Sequence, residues 1–216
     1  MYVPQHFEEP RIDVLHDLIR RFPLATLVNQ SSSGLNANHI PFLLSDELPP
    51  FGRLRGHVAA ANPMLGDLPD TLESLAIFHG PSAYITPSWY ATKQITGKVV
   101  PTWNYAVVHA YGHLRIIDDR DWLRRQIEEL TDHNEAASPG PWSVSDAPKD
   151  SIDKMISGII GIEMVITKMV GKWKVSQNQP AENQASVIEG LKNNLCPGSQ
   201  AMATLVESRA KEKPEA

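Results

Sequence analysis

The sequence predicts a mainly β protein with α decoration, built as an antiparallel barrel with peripheral and C-terminal helices. Short β-prone stretches recur at short intervals, and helical periodicity is confined to segments between and after them. One long stretch, residues 103–117, alternates throughout. Ala106, Val108, Ala110, Gly112, Leu114 and Ile116 share one face, and Tyr105, Val107, His109, Tyr111, His113 and Arg115 share the other, which is the pattern of a half-buried antiparallel strand.

Taken in order, Ile12, Leu15, Leu18 and Ile19 recur at helical spacing between Pro10 and Phe22-Pro23, so residues 11–21 read as a helix. Residues 24–29 are β-prone, Ser31-Ser32-Ser33-Gly34 reads as a turn, and residues 36–44 resume extended character, together a hairpin. Residues 54–58 read as a third strand, after which Asn62-Pro63 opens a short helix with Pro at its first position. Residues 74–78 and 83–86 read as two strand pieces broken at Gly80-Pro81, because Pro cannot donate to a ladder.

Beyond the long strand, Trp122, Leu123, Ile127 and Leu130 give a helix that starts at the Asp118-Asp119 caps and frays by Asn134. The Pro- and Ser-rich residues 136–148 form a loop. Ile152, Met155 and Ile156 give a short helix ended by Gly158, and residues 160–175 form another long strand bent at Gly171. Helical periodicity returns through Val187, Ile188 and Leu191, and again through Met202, Leu205 and Val206. The expected organisation is one domain over residues 1–178, a helical extension over 179–210 packed on it, and a frayed tail over 211–216.

Composition bounds the function. A single cysteine, Cys196, allows no internal disulfide and no thiolate zinc site within one chain, which fits a reducing cytoplasm. No secretory pattern opens the chain and no run of about 18 apolar residues occurs, so a soluble protein without a membrane partner is expected. The net charge of −5 works against the broad phosphate-binding surface that supplies most non-specific DNA affinity.

The eight histidines first point to a metal, but His109 and His113 lie four apart on a strand. At ~3.3 Å per residue they stand about 13 Å apart, too far for two Zn–N bonds of ~2.0–2.1 Å. No phosphate loop of the GxGxxG or GxxxxGK[ST] kind and no G-x-S-x-G elbow is present. No catalytic or metal-ligating residue is expected.

Four strings combine rigid or aromatic residues with hydrogen-bonding ones: Asn38-His39-Ile40-Pro41-Phe42, Gly56-His57-Val58-Ala59, Pro87-Ser88-Trp89-Tyr90, and Val100-Pro101-Thr102-Trp103-Asn104-Tyr105. A planar heteroaromatic ligand needs that mixture, with apolar faces for the ring and fixed donors and acceptors for its edge. The same strings also serve as structural corners. His39 and His57 sit on neighbouring strands, where either a ligand carbonyl or a backbone carbonyl would satisfy them.

At these strings, and at Tyr2-Val3-Pro4-Gln5-His6-Phe7, Gly80-Pro81-Ser82-Ala83-Tyr84-Ile85-Thr86 and Gly171-Lys172-Trp173-Lys174-Val175-Ser176-Gln177-Asn178, the sequence resembles the PaiB-like FMN-binding negative transcriptional regulator family. The resemblance implies an FMN-binding split barrel similar to that of pyridoxamine-phosphate oxidases and flavin reductases, with FMN at a two-fold homodimer interface. It implies a flavin site drawn from His39, His57, Val58, Ala59, Asn62, Ser88, Trp89, Tyr90, Thr102, Trp103, Asn104, Lys174 and Gln177. Backbone N–H groups after Asn62 would meet the phosphate, and the Trp89-Tyr90 and Trp103-Asn104 loops would flank the ring. Ala60 and Gln179 stand where Arg is expected, which implies either weak FMN binding or a different ligand in the same cleft.

A flavin-dependent redox or sensing role follows, at most a reductase-like or oxidase-like activity in which the cofactor carries the chemistry. Two alternatives stand beside it. Negative transcriptional regulation rests on the family name, and among the helices after Pro180 the basic residues Lys192 and Arg209 are sparse, which argues against direct DNA contact. A haem-handling role rests on the eight histidines and on the resemblance, since related split barrels sometimes bind haem. Dimerisation draws on Tyr105, Tyr111 and the loop tryptophans, expected to form more apolar surface than a monomer leaves wet.

Overall fold

The computed structural model describes residues 1–31, 34–66 and 73–211; the turn expected at Ser32-Ser33 and the frayed tail expected after Lys211 lie outside the described residues. In chain order the elements are β1 (Glu8–Glu9), α1 (Ile12–Arg21), β2 (Leu24–Ser31), β3 (Gly34–Pro41), β4 (Leu43–Ser45), β5 (Arg53–Ala59), β6 (Ser74–Ile85), α2 (Lys93–Thr96), β7 (Thr102–Ile117), α3 (Arg120–Glu135), α4 (Lys149–Ile156), β8 (Ile159–Lys174), α5 (Ala181–Lys192) and α6 (Ser199–Lys211). The sheet runs in the order β3-β2-β6-β7-β8-β5-β4, with β1 paired to β8. Every ladder with a resolved register is antiparallel.

The chain divides into two compact units, one of Ile12–Phe78 and His109–Met169, the other of Met1–Arg11, His79–Val108 and Val170–Ala216.

In the first unit the sheet curls into a barrel, and the cause is local. Strands β3 and β4 stand at opposite ends of the strand order yet are separated by one residue, Phe42. Its N–H donates to Pro23 O at 2.9 Å, and its ring is buried against Phe78 with centroids 6.5 Å apart. At Gly56 on β5, an added Cβ would meet the Phe42 ring at 3.0 Å and Pro41 O at 3.1 Å, so a side chain there would press on the closing residue. Ala25, Leu27, Ile40, Leu54, Val58, Ala76, Ile162 and Met164 complete the interior. Residues 36–44, expected as one extended stretch, are thus two strands broken at Phe42.

Outside the barrel, Asp119 caps α3 by accepting from Asp121 N and Trp122 N at 2.9 and 3.0 Å. The helix packs with α4 through Leu123, Val144, Ile152 and Ile156. The segment at Asn62-Pro63 is one 3-10 turn, Pro63–Leu65.

Three strands, β6, β7 and β8, run on into the second unit. The expected break at Gly80-Pro81 does not occur: β6 continues through it. Its ladder with β2 ends at Phe78, and its buried positions pass from Ser74, Ala76 and Phe78 to Ala83 and Ile85, an odd step that marks a bulge-like offset where Pro is tolerated. The bend expected at Gly171 is likewise absorbed within β8. Buried apolar positions change parity between Ile166 and Trp173, and Gly171 itself pairs with Glu9. At the end of β7, Ile116 is exposed and Ile117 buried, the reverse of the alternation, because the strand gives way to the Asp119 cap two residues later.

The second unit also holds β1, α2, α5 and α6. Val187, Leu191, Met202, Ala203 and Val206 bury the facing sides of α5 and α6. Trp89 lies on Gly190 of α5, where a Cβ would come within 2.4 Å of the indole. Chain start and end are tied by Glu9, whose carboxylate is 1% exposed and bridges Arg11 at 2.7 Å and Arg209 at 2.9 Å. Burial alone would raise the Glu9 pKa. Hydrogen bonds from the Arg11 side chain and backbone, with the charges of Arg209 and Arg11, outweigh it and hold the carboxyl below the usual glutamate value.

Phe42→Ala removes the closing ring and is expected to cost about 3–5 kcal/mol in urea unfolding, whereas Leu24→Ala at an exposed strand position should cost under about 0.5 kcal/mol. Because the folded-state pKa of Glu9 is depressed, its contribution is intact above the ordinary value of 4.5 and is lost as pH falls through the lower folded value. Stability measured against pH should therefore fall below that point in the natural chain, and Glu9→Gln should flatten this part of the acid limb.

Candidate functional site

In the second unit, the start of β7 places successive side chains on opposite faces, as an extended strand must. Thr102 and Asn104 face one way, into a cavity of about 260 Å³ that Phe7, Tyr90, Val100, Lys174, Ser176, Asn178 and Gln179 also line. A neighbouring cavity of about 320 Å³ is lined by Tyr90, Thr92, Thr96, Lys98, Val99, Val100, Gln179, Pro180 and Asn183. The two share Tyr90, Val100 and Gln179 and so form two lobes of one cleft. Its combined size falls within the ~300–1,000 Å³ of small-molecule pockets.

The cleft is held open by a fixed polar frame. Asn104 is 1% exposed, and its Nδ2 donates to Ser176 Oγ at 2.8 Å. Ser176 itself sits at φ +63°, a left-handed conformation that turns the chain sharply after β8. The following Gln177 spends its amide on that turn: Oε1 accepts from Val175 N at 2.8 Å and Nε2 donates to Trp173 O at 2.5 Å. Lys174 Nζ donates to Thr102 Oγ1. Gln179 Oε1 accepts from Asn183 Nδ2 at 3.1 Å, and Asn183 Oδ1 accepts from Thr92 N at 3.0 Å.

Tyr90 reaches both lobes with its ring buried, and burial pushes its phenol pKa up. Two lysines, Lys98 and Lys174, line the cleft, and among the described residues no carboxylate does. That donor set suits a phosphate, for which lysine acts as a point charge. Phe7, Tyr90 and Val100 supply apolar surface for a flat ring. The residues present therefore fit a flavin mononucleotide.

The expected site residues fall into distinct settings. Tyr90, Thr102, Asn104 and Lys174 converge on the cleft, while Gln177 builds its wall from within. Ser88 is exposed in a 3-10 turn, its N–H on Thr86 Oγ1 at 3.3 Å. Trp89 and Trp103 line a different cavity, with Tyr84 and Cys196.

The remaining five belong to the barrel unit. His39 is exposed beside Thr26 Oγ1 at 3.2 Å. His57 faces α3, its Nδ1 2.7 Å from Gln126 Oε1. Val58 is buried, and Ala59 is exposed at the strand end. Asn62 caps its own turn: Oδ1 accepts from Met64 N at 3.0 Å, its carbonyl accepts from Leu65 N at 3.1 Å, and Nδ2 donates to Asn38 Oδ1 at 3.0 Å. A phosphate at this turn would have to displace that cap.

Of the two positions expected to carry Arg, Ala60 is exposed, whereas Gln179 lines both lobes of the cleft. Thr92, Thr96 and Asn183 had drawn no attention in the sequence; the run after Pro180 signalled only a helix start. Tyr105 and Tyr111, expected as exposed aromatics, are half-buried beneath lysines, with Lys172 Nζ 5.4 Å from the first ring and Lys168 Nζ 5.2 Å from the second. The exposed aromatics are instead Tyr2, Tyr84, Trp103 and Trp142. Among the described residues no cluster of His, Cys, Asp and Glu has metal-binding geometry, and no helix is long and apolar enough to cross a membrane.

A family model described as "Putative FMN-binding domain" matches residues 1–168. An uncharacterised protein of Emericella nidulans is 37% identical, covering 99% of each chain. The protease synthase and sporulation protein PAI 2 of Bacillus subtilis is 26% identical over 99% of this chain and all of its own length. Among solved structures, the flavocytochrome Anf3 from Azotobacter vinelandii shares the fold at a TM-score of 0.60 and 12% identity, over 85% of this chain and 78% of that one. By the match over most of the chain and the split-barrel fold, the protein belongs to the PaiB-like family of FMN-binding split barrels, and its cofactor is FMN.

Proposed function

We propose that the protein is a cytoplasmic homodimer that uses FMN in a redox or sensing role, and that the cleft around Tyr90 receives the flavin. The observation that carries this reading is the pairing of two lysines with an absence of carboxylates among the cleft's lining residues. Lys98 and Lys174 take the phosphate, Thr102 and Asn104 hydrogen-bond the ligand, and Phe7, Tyr90 and Val100 lie against the ring. Bound FMN supplies the electron chemistry, and the chain's own groups bind it, orient it and limit water access.

Exposed apolar side chains in the same unit, Ile95 and Val100, are what a second copy would cover. Residues 1–178 are proposed to supply most of the flavin-binding part, with 179–210 as a helical extension that adds Gln179, Pro180 and Asn183 to the cleft wall. Direct DNA contact is disfavoured by the terminal helices, where Lys192 pairs with Glu207 at 3.4 Å and Arg209 with Glu9 at 2.9 Å.

Gln179 makes binding weak, since a guanidinium there would add charge-assisted bonds. Gln179→Arg is expected to tighten FMN by about tenfold or more, from ~1.5–3 kcal/mol, while Lys98→Ala and Lys174→Ala each weaken it by a similar factor. Titration of the apoprotein by quenching of FMN fluorescence reads these changes, and unchanged affinity in both lysine variants would remove the cleft from the flavin site. Light scattering after size exclusion should give twice the chain mass, and a monomer would defeat the dimer reading.

A further inference from the structure

The aromatic residues that do not reach the flavin cleft enclose a cavity of their own. It measures about 210 Å³ and is lined chiefly by Tyr84, Trp89, Trp103, Cys196, Pro197 and Ser199. It shares no lining residue with the cleft, because Trp103 points to the opposite face of β7 from Thr102 and Asn104.

Three features define what it accepts. Tyr84 and Trp103 meet edge to face, with centroids 6.0 Å apart and planes at 67°, yet they remain 46% and 57% exposed, so ring surface stands unpacked. Among the described residues no charged side chain lines the cavity, which favours a neutral ligand over an ion. Ser199 is 1% exposed, and its hydroxyl has no hydrogen-bond partner among the described residues. A buried hydroxyl left unpaired is costly, and a ligand acceptor would relieve that cost.

We propose that this cavity is a second small-molecule site, taking a neutral planar aromatic compound of one or two fused rings with a hydrogen-bond acceptor on its edge. Its volume lies below the ~300–1,000 Å³ of drug-sized pockets, which limits the ligand to that size. The aromatic side chains offer offset or edge-on contacts to the ring, and Ser199 donates to the acceptor. The site is independent of the flavin and is present with FMN bound.

Cys196, exposed at the rim, reports occupancy. The test uses the FMN-loaded protein and follows alkylation of Cys196 by iodoacetamide with increasing quinoline, or with naphthalene as the same shape without an acceptor. Quinoline should slow the reaction saturably and bind about tenfold more tightly than naphthalene, the discrimination of roughly one hydrogen bond. Ser199→Ala should abolish that preference, and Trp103→Ala, shown to be folded by circular dichroism, should weaken both compounds. Absence of protection, or a quinoline preference that survives Ser199→Ala, would overturn the proposal. FMN added to apoprotein should leave the Cys196 rate unchanged; protection by FMN would make the cavity part of the flavin site and equally overturn it.

Discussion

Phe42 is the one residue of chain available to join the two ends of the sheet order. An open sheet cannot satisfy that restraint, because its outermost strands would have to be neighbours in sequence and strangers in space. The sheet therefore curls until β3 reaches β5, Gly56 gives up its side chain to the contact, and Phe42 is driven inside against Phe78. With its interior filled in this way, the barrel has no cavity requirement of its own. The cavities described above lie instead among the continuing strands and the segments between them.

There the governing rule is the two-residue period of a strand. Thr102, Trp103 and Asn104 are consecutive, yet the outer two open onto a polar, lysine-lined cleft and the middle one onto an aromatic cavity. The same separation falls between Trp89 and Tyr90, where a 3-10 turn stacks the indole on Gly190 and buries the phenol ring in the cleft. One short aromatic string thus serves two chemically different surfaces. Treating such a string as the wall of a single pocket overlooks the pleat.

Much of the architecture was legible from periodicity. α1, α3, α5, α6 and the alternation of β7 lie where the pattern places them, because each buries one face. What periodicity could not show was where a strand shifts phase. The offset in β6 at Gly80-Pro81 looked like a break, since the missing donor of Pro81 was visible and the end of the β2 ladder at Phe78 was not. Of the residues expected for the flavin, Tyr90, Thr102, Asn104 and Lys174 line the cleft. Thr92, Thr96 and Asn183 were hidden, because an ordinary helix start carries the same residues. His57 attracted attention as a hydrogen-bonding group, and only the packing of α3 shows Gln126 beside it.

The central claim is that FMN is received by the cleft formed around Tyr90, between the start of β7 and the turn after β8. Amide hydrogen exchange of the apoprotein with and without FMN tests it most directly. Slower exchange at residues 90–104 and 174–183 on adding FMN is the predicted result. Unchanged exchange in both segments, with protection confined to residues 57–65, would contradict it.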